Sequence, residues 1–179
     1  MEKIEKRILA IRKWMKNSSL DAIIIPHDDE YLSEYIPPYN ERLLWISGFT
    51  GSAGLAVITI DAAFIFVDGR YTVQVKQQVN QNIYRTIHLS EISFNQWILE
   101  YFLDNKQIGY DPRLHRASWI KGLQTSKYSH LNFKPIKENP IDSLWKNRPK
   151  IDIKKAILLP IKYSGQSSLN KRVIIGKNI

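Results

Sequence analysis

Four histidines, at positions 27, 88, 115 and 130, are the side chains of this 179-residue sequence best suited to moving a proton near neutral pH. None has a second histidine three to five residues away, so the spacing of a helical metal site is missing. The densest polar run, His27-Asp28-Asp29-Glu30, could hold a hard cation through its carboxylates. Consecutive side chains diverge on any backbone, however, and a solvated loop whose acids cap backbone amides is the simpler reading. A second run, Gly48-Phe49-Thr50-Gly51-Ser52-Ala53-Gly54, precedes a strand-like segment. It lacks the Gly-Lys-Ser/Thr of a phosphate loop, does not open a helix as a dinucleotide fingerprint must, and reverses the strand-to-helix order of a nucleophile elbow. A tight loop is what remains. The third run is Asp68-Gly69-Arg70-Tyr71. There the carboxylate can cap the first helical amides, while the Arg70 fork is left for a carboxylate or carbonyl that the local sequence does not name.

The elements that must carry these runs alternate between helix and strand. Ile4, Ile8, Ile11 and Met15 share one face of a helix that ends near Asn17-Ser18-Ser19. AIIIP at 22–26 reads as a buried strand, and Leu55–Ile60 with Phe64–Val67 as two antiparallel strands joined at Asp61-Ala62. Tyr71, Val75 and Val79 are spaced for a helix after Asp68-Gly69. Ser93 with Gln96 forms a capping-box pattern before a helix that buries Phe94, Trp97, Ile98, Tyr101 and Phe102. A strand over 107–110, a helix near 117–123 and a strand over 132–136 complete a mixed α/β pattern, with helices on both faces of the sheet.

The composition is that of a folded protein, with 44% hydrophobic and 24% charged residues. Its apolar runs are far too short to span a bilayer, and the start, MEKIEKRI, has no apolar stretch behind its charges. With no cysteine, disulfides, thiol nucleophiles and thiolate metal sites are excluded, and a cytoplasmic location is expected. The net charge of +9 is unevenly spread: residues 1–145 hold 17 basic against 16 acidic side chains, whereas 146–179 hold nine against Asp152 alone. A boundary is expected at Pro149, with a body over 1–149 and a basic segment over 150–179.

Taken in order, "SEYIPPYNERLLWISGFTGSAGLAVIT", "FVDGRYTVQ", "IGYDP" and "KPIKENPIDSLWKNRP" resemble the N-terminal domain of aminopeptidase P, the Xaa-Pro aminopeptidase of the creatinase and prolidase group. The resemblance implies a mixed sheet flanked by helices, of ribonuclease H-like topology. It also implies a three-domain parent, because "AILLPIKYSGQSSLNKR" is similar to the stretch that opens a second domain, here truncated. In that family a C-terminal domain holds two divalent metals, commonly manganese, and releases the residue that precedes proline. This chain is therefore expected to bind no metal or other cofactor and to be silent alone. Its expected partners are the C-terminal domains of the same polypeptide, a second copy in a homodimer, and peptides with proline second, with neither membrane nor nucleic acid. Phe49, Thr50, Arg70 and Tyr71 are the residues expected to face substrate or a neighbouring domain, the alternative being that all four are structural. Two rivals are weaker. A ribonuclease H-like nuclease needs acids converging from central strands, and AIIIP has none. A nucleic-acid module would use the basic tail, whose cations alternate with Ile and Leu rather than with aromatic stacking faces.

Overall fold

The computed structural model describes residues 3–178, so Met1 and Glu2 of the charged start lie outside the described residues. The chain divides into two units, Met1–Pro149 and Lys150–Ile179.

The first unit is built on six strands: β1 (Ala22–Pro26), β2 (Leu55–Thr59), β3 (Ala63–Val67), β4 (Arg85–His88), β5 (Lys106–Tyr110) and β6 (Leu131–Pro135), in the order β4-β3-β2-β1-β5-β6. Only β2 runs against the others, pairing antiparallel with β1 and β3, while β1 pairs parallel with β5, β5 with β6, and β3 with β4. A strand buried on both faces must be apolar at every position, and β1 and β3 are fully buried. Alternate residues enter separate cores. Ile23, Ile25, Ile58, Ile65 and Val67 join one, and Ile24, Val57, Phe64 and Phe66 the other.

The first core is covered by α1 (Lys3–Asn17), α2 (Arg42–Ser47), α3 (Thr72–Gln78) and α6 (Pro140–Leu144), through residues such as Ile11, Ile46, Val75 and Ile141. The second is covered by α4 (Phe94–Tyr101) and α5 (Ala117–Leu123), where Phe64 and Phe66 meet Trp97 edge-on at 4.8 Å. The α/β reading with helices on both faces holds. The capping box is half made: the Ser93 hydroxyl accepts the Gln96 amide, but the Gln96 side chain donates to Glu100 instead of returning. The helix after Asp68 starts with a 3-10 turn over Gly69–Tyr71, which leaves Tyr71 and Val79 flanking α3 instead of within it. Within the first unit α2, α6 and β4 had no expectation, each six residues or fewer.

A buried ion pair ties two of those short helices together. Arg42, its side chain 3% exposed, donates from Nε and Nη2 to both oxygens of Asp142, a hundred residues on. Asp142 also faces Arg148 at 3.1 Å, and Arg148 donates to the Tyr39 carbonyl. The second unit consists of a stretch without helix or strand followed by α7 (Ile161–Ser164) and α8 (Ser168–Gly176), with Ile157 and Leu158 exposed. Among the described residues no helix is long and apolar enough to cross a membrane.

The two ends of the Arg42–Asp142 pair are not equivalent. Asp142→Ala strands a guanidinium with almost no access to water and should lower unfolding stability by about 3 kcal/mol. Arg42→Met leaves Asp142 with Arg148 and some solvent, and should cost only about 1 kcal/mol. Urea denaturation of both variants checks the order; equal losses would contradict it.

Candidate functional site

Five strands point their carboxyl ends at one edge of the sheet, and β2 enters from that same edge. Open α/β sheets bind ligands there. All three polar runs therefore gather on one edge: His27–Glu30 after β1, Gly48–Gly54 before β2, and Asp68–Tyr71 after β3.

The glycine loop and the Asp-Gly-Arg-Tyr turn form a single unit. Gly48 closes α2 at φ 83°, a left-handed turn that sends the chain back across the sheet edge. The Phe49 ring is 1% exposed and meets Tyr71 edge-on at 5.5 Å. Gly51 lies on those two rings, where a Cβ would stand 2.2 Å from Phe49 Cζ and 2.8 Å from Tyr71 Cδ1. The Thr50 amide donates to Gln78 Oε1 and the Ser52 amide to the Tyr71 hydroxyl, so these two amides are already used and not free for an anion. Thr50 is exposed, Tyr71 half-buried, and Arg70 exposed at the rim, 5.2 Å over the Tyr71 ring. Of the four expected outward-facing residues, then, Phe49 supports the loop from beneath, while Thr50, Arg70 and the edge of Tyr71 reach the surface.

Arg70 does find a carboxylate, its own capping residue. Asp68 accepts from the Arg70 amide, Nε and Nη2, which holds its carboxyl below the ordinary range. The same device recurs after β5, where sequence reasoning passed over it. Asp111 accepts from the Arg113 amide, Nε and Nη2, and also from Asn139. Burial would raise the Asp111 carboxyl, but these donors outweigh it and depress it. The available signal was the repeated Asp-x-Arg spacing after an apolar strand, at 68–70 and 111–113.

The His27–Glu30 run separates as divergent side chains must. His27 Nδ1 lies 3.9 Å from Glu41, Asp29 accepts from the Tyr31 and Ser33 amides, and Glu30 accepts from Asn40. Burial would raise Asp29, but the Ser33 and Tyr31 amides hold it below the ordinary range. Asp28 turns instead toward a cavity of about 220 Å³ lined by Leu55, His115, Arg116 and Trp119. There the His115 ring stacks on Trp119 at 4.6 Å, and its buried Nε2 has no partner. Burial pushes this imidazole down to about 4, so it is neutral at physiological pH. Among the described residues no three His, Asp or Glu side chains gather as a metal-binding set.

Fold and edge together define a mixed-sheet α/β domain whose strand-end carboxylates are largely committed to turns and neighbouring arginines. The chain belongs to the creatinase/prolidase N-terminal domain family, whose model matches residues 7–144. It is 36% identical to rat Xaa-Pro aminopeptidase 2 over 90% of its length and 24% of that protein. Against a probable Xaa-Pro aminopeptidase P of Laccaria bicolor it is 36% identical over 93% of its length and 26% of the relative. The chain thus spans about a quarter of the curated relatives it matches. The fold superposes on an X-prolyl aminopeptidase of Caenorhabditis elegans, described as a cytosolic enzyme with a di-nuclear active site, with a TM-score of 0.87 and 23% identity. That match covers 99% of this chain and 31% of the other. A separately crystallised N-terminal domain of a metallopeptidase from Corynebacterium diphtheriae matches 75% of the chain, and 97% of its own, at a TM-score of 0.58 and 22% identity.

His115 gives the domain a pH dependence with a defined sign. Its folded value, about 4, lies below the ordinary 6.5, so the unfolded chain binds the extra proton. Its contribution is complete above 6.5 and is lost as pH falls toward 4, by up to roughly 3 kcal/mol. His115→Phe keeps a ring on Trp119 without the ionisation, and should flatten denaturation midpoints across that window. An unchanged slope would show that His115 does not titrate as its burial requires.

Proposed function

We propose that this chain is the non-catalytic N-terminal domain of a metal-dependent Xaa-Pro aminopeptidase, and that it shapes substrate access and assembly. The observation that carries the reading is its identity to Xaa-Pro aminopeptidases over nine-tenths of its own length but a quarter of theirs. The remaining three-quarters of such an enzyme has room for the hydrolytic centre, where two divalent ions, manganese by family resemblance, supply the activated water. Among the described residues no set of His, Asp or Glu side chains is gathered to hold such ions, and the reading assigns this chain no step of the chemistry.

The domain's contribution is steric and recognitional. Proline has no amide hydrogen and a fixed φ, so cleavage before it needs a pocket that general aminopeptidases lack. Thr50, Arg70 and Tyr71, on a loop braced by Phe49, form the surface turned toward substrate or the neighbouring domain of a cytoplasmic, homodimeric enzyme. Residues 150–179, with their exposed Ile157 and Leu158, open the second domain of the same polypeptide.

The test compares a peptide with proline second against its alanine counterpart. The 179-residue chain should cleave neither, with or without added manganese, whereas a polypeptide in which this domain precedes a catalytic domain should cleave the first. Proline-specific hydrolysis by the purified chain would overturn the reading.

Arg70→Lys separates recognition from scaffolding, because lysine keeps the charge and loses the planar fork. Since the Arg70 side chain is 66% exposed, the melting temperature of the chain should not change. In the intact enzyme KM should rise or kcat fall. A lowered melting temperature with unaltered kinetics would make Arg70 scaffold.

A further inference from the structure

On the helical side of the first core, α1 packs against α2 and α6 and leaves a groove of about 520 Å³. Its floor is aromatic, with the Trp45 and Trp145 rings 6.2 Å apart, and its rim is cationic, with Lys3, Lys6, Arg7 and Lys146. Among the described residues no carboxylate lines it. Arg7 is half-buried, its guanidinium 4.6 Å over the Trp45 ring and, among the described residues, donating only to the Trp45 carbonyl. Burial lowers the affinity of this guanidinium for its proton. Arg42, Arg70, Arg113 and Arg148 each face a carboxylate. Among the described residues Lys3, Lys6 and Lys146 have no such partner either. Half-burying a cation without a counter-charge is costly, and a bound anion would offset that cost.

We propose that this groove binds an acidic peptide segment of a partner protein, one apolar side chain resting against Trp145 and flanking Asp or Glu side chains meeting Arg7 and the three lysines. The volume is that of a ligand pocket and accommodates a side-chain anchor. Nucleic acid fits less well. Trp45 is 7% exposed, with Arg7 over its face, and Trp145 is only partly open, so no stacking platform is presented. Nor does residue 1–145, at 17 basic against 16 acidic side chains, provide the extended cationic track that a phosphodiester backbone needs. A second copy meeting this face symmetrically would set cations against cations. Residues 150–179, with seven basic side chains against Asp152, carry the same sign and cannot supply the complement.

The experiment titrates the full chain into a short fluorescein-labelled peptide with Glu and Asp on both sides of a Phe-Leu pair, following anisotropy and the tryptophan emission of the protein. Saturable binding is expected at low salt, weakened at least about tenfold at high salt, and absent for the matching lysine-for-glutamate peptide. Reversing the rim with Lys3→Glu, Lys6→Glu and Lys146→Glu should weaken binding by about tenfold or more without changing the melting temperature. Should the triple variant fold poorly, Lys146→Glu alone must still weaken it measurably. No saturable binding, or binding indifferent to charge reversal, overturns the proposal. So does a thymidine oligonucleotide that binds more tightly and displaces the peptide.

Discussion

Arg42 is the charge that the strand-end edge is organised around. A guanidinium this deeply buried is tolerable only if its fork is filled, and Asp142 fills it bidentately from a hundred residues away while Asn40 takes Nη1. Because the partners are so far apart in sequence, the pair can form only when β1, β5 and β6 are already in register and α6 lies against α1 and α2. Asn40 then accepts from Arg148 and donates to Glu30, which extends the same network into the loop after β1. Asn139 caps α6 through the Ile141 amide and also donates to Asp111. One desolvated cation thereby links the ends of β1 and β5 to the helix that closes the domain.

The periodic part of this architecture was legible from the residues. Isoleucine runs buried on both faces and a helical stripe at Ile4, Ile8, Ile11 and Met15 each express a period that burial imposes, and all of them formed. What escaped was short or nonlocal. Helices α2 and α6 span six and five residues, too few for a periodic signal, and their main tie is the Arg42–Asp142 contact, which no local window contains. An Asn-Pro pair at 139–140, a cap followed by a residue suited to the first helical position, was the only local sign of α6. At the edge, the grouping of Phe49, Thr50, Arg70 and Tyr71 was anticipated, yet the depth of each was not. Phe49 reads on paper as an exposed loop aromatic and is in fact the ring on which Gly51 rests.

The two Asp-x-Arg turns show why spacing alone could not rank these residues. Asp68 and Asp111 make the same set of contacts, an amide and a forked guanidinium two residues on. Their surroundings differ. The Asp111 side chain is 2% exposed and gains a third donor from Asn139, whereas Asp68 is 34% exposed and has Arg70 alone. Desolvation makes the first turn part of the scaffold, since leaving any of its donors unmade would bury a bare charge. The second is held in water, where the ion pair is weak and the guanidinium can exchange its partner at little cost.

That difference in solvation divides the charged groups of the domain by what they can do next. Arg42 and Arg148 are matched inside the protein, and Arg113, itself half exposed, is fixed to the buried Asp111, so their contribution is position. Arg70 is matched but wet, so it can turn from Asp68 to an incoming carboxylate or carbonyl without exposing a buried charge. Arg7 is the reverse case, partly dry and, among the described residues, facing only a carbonyl and an indole, so an arriving anion would replace no ion pair with them. A folded chain holds a recognition surface where pairing is incomplete, because a charge fully satisfied within the fold has little to gain from a partner. By that criterion the loop over Phe49 and the groove beside Trp145 are candidate binding surfaces of this domain.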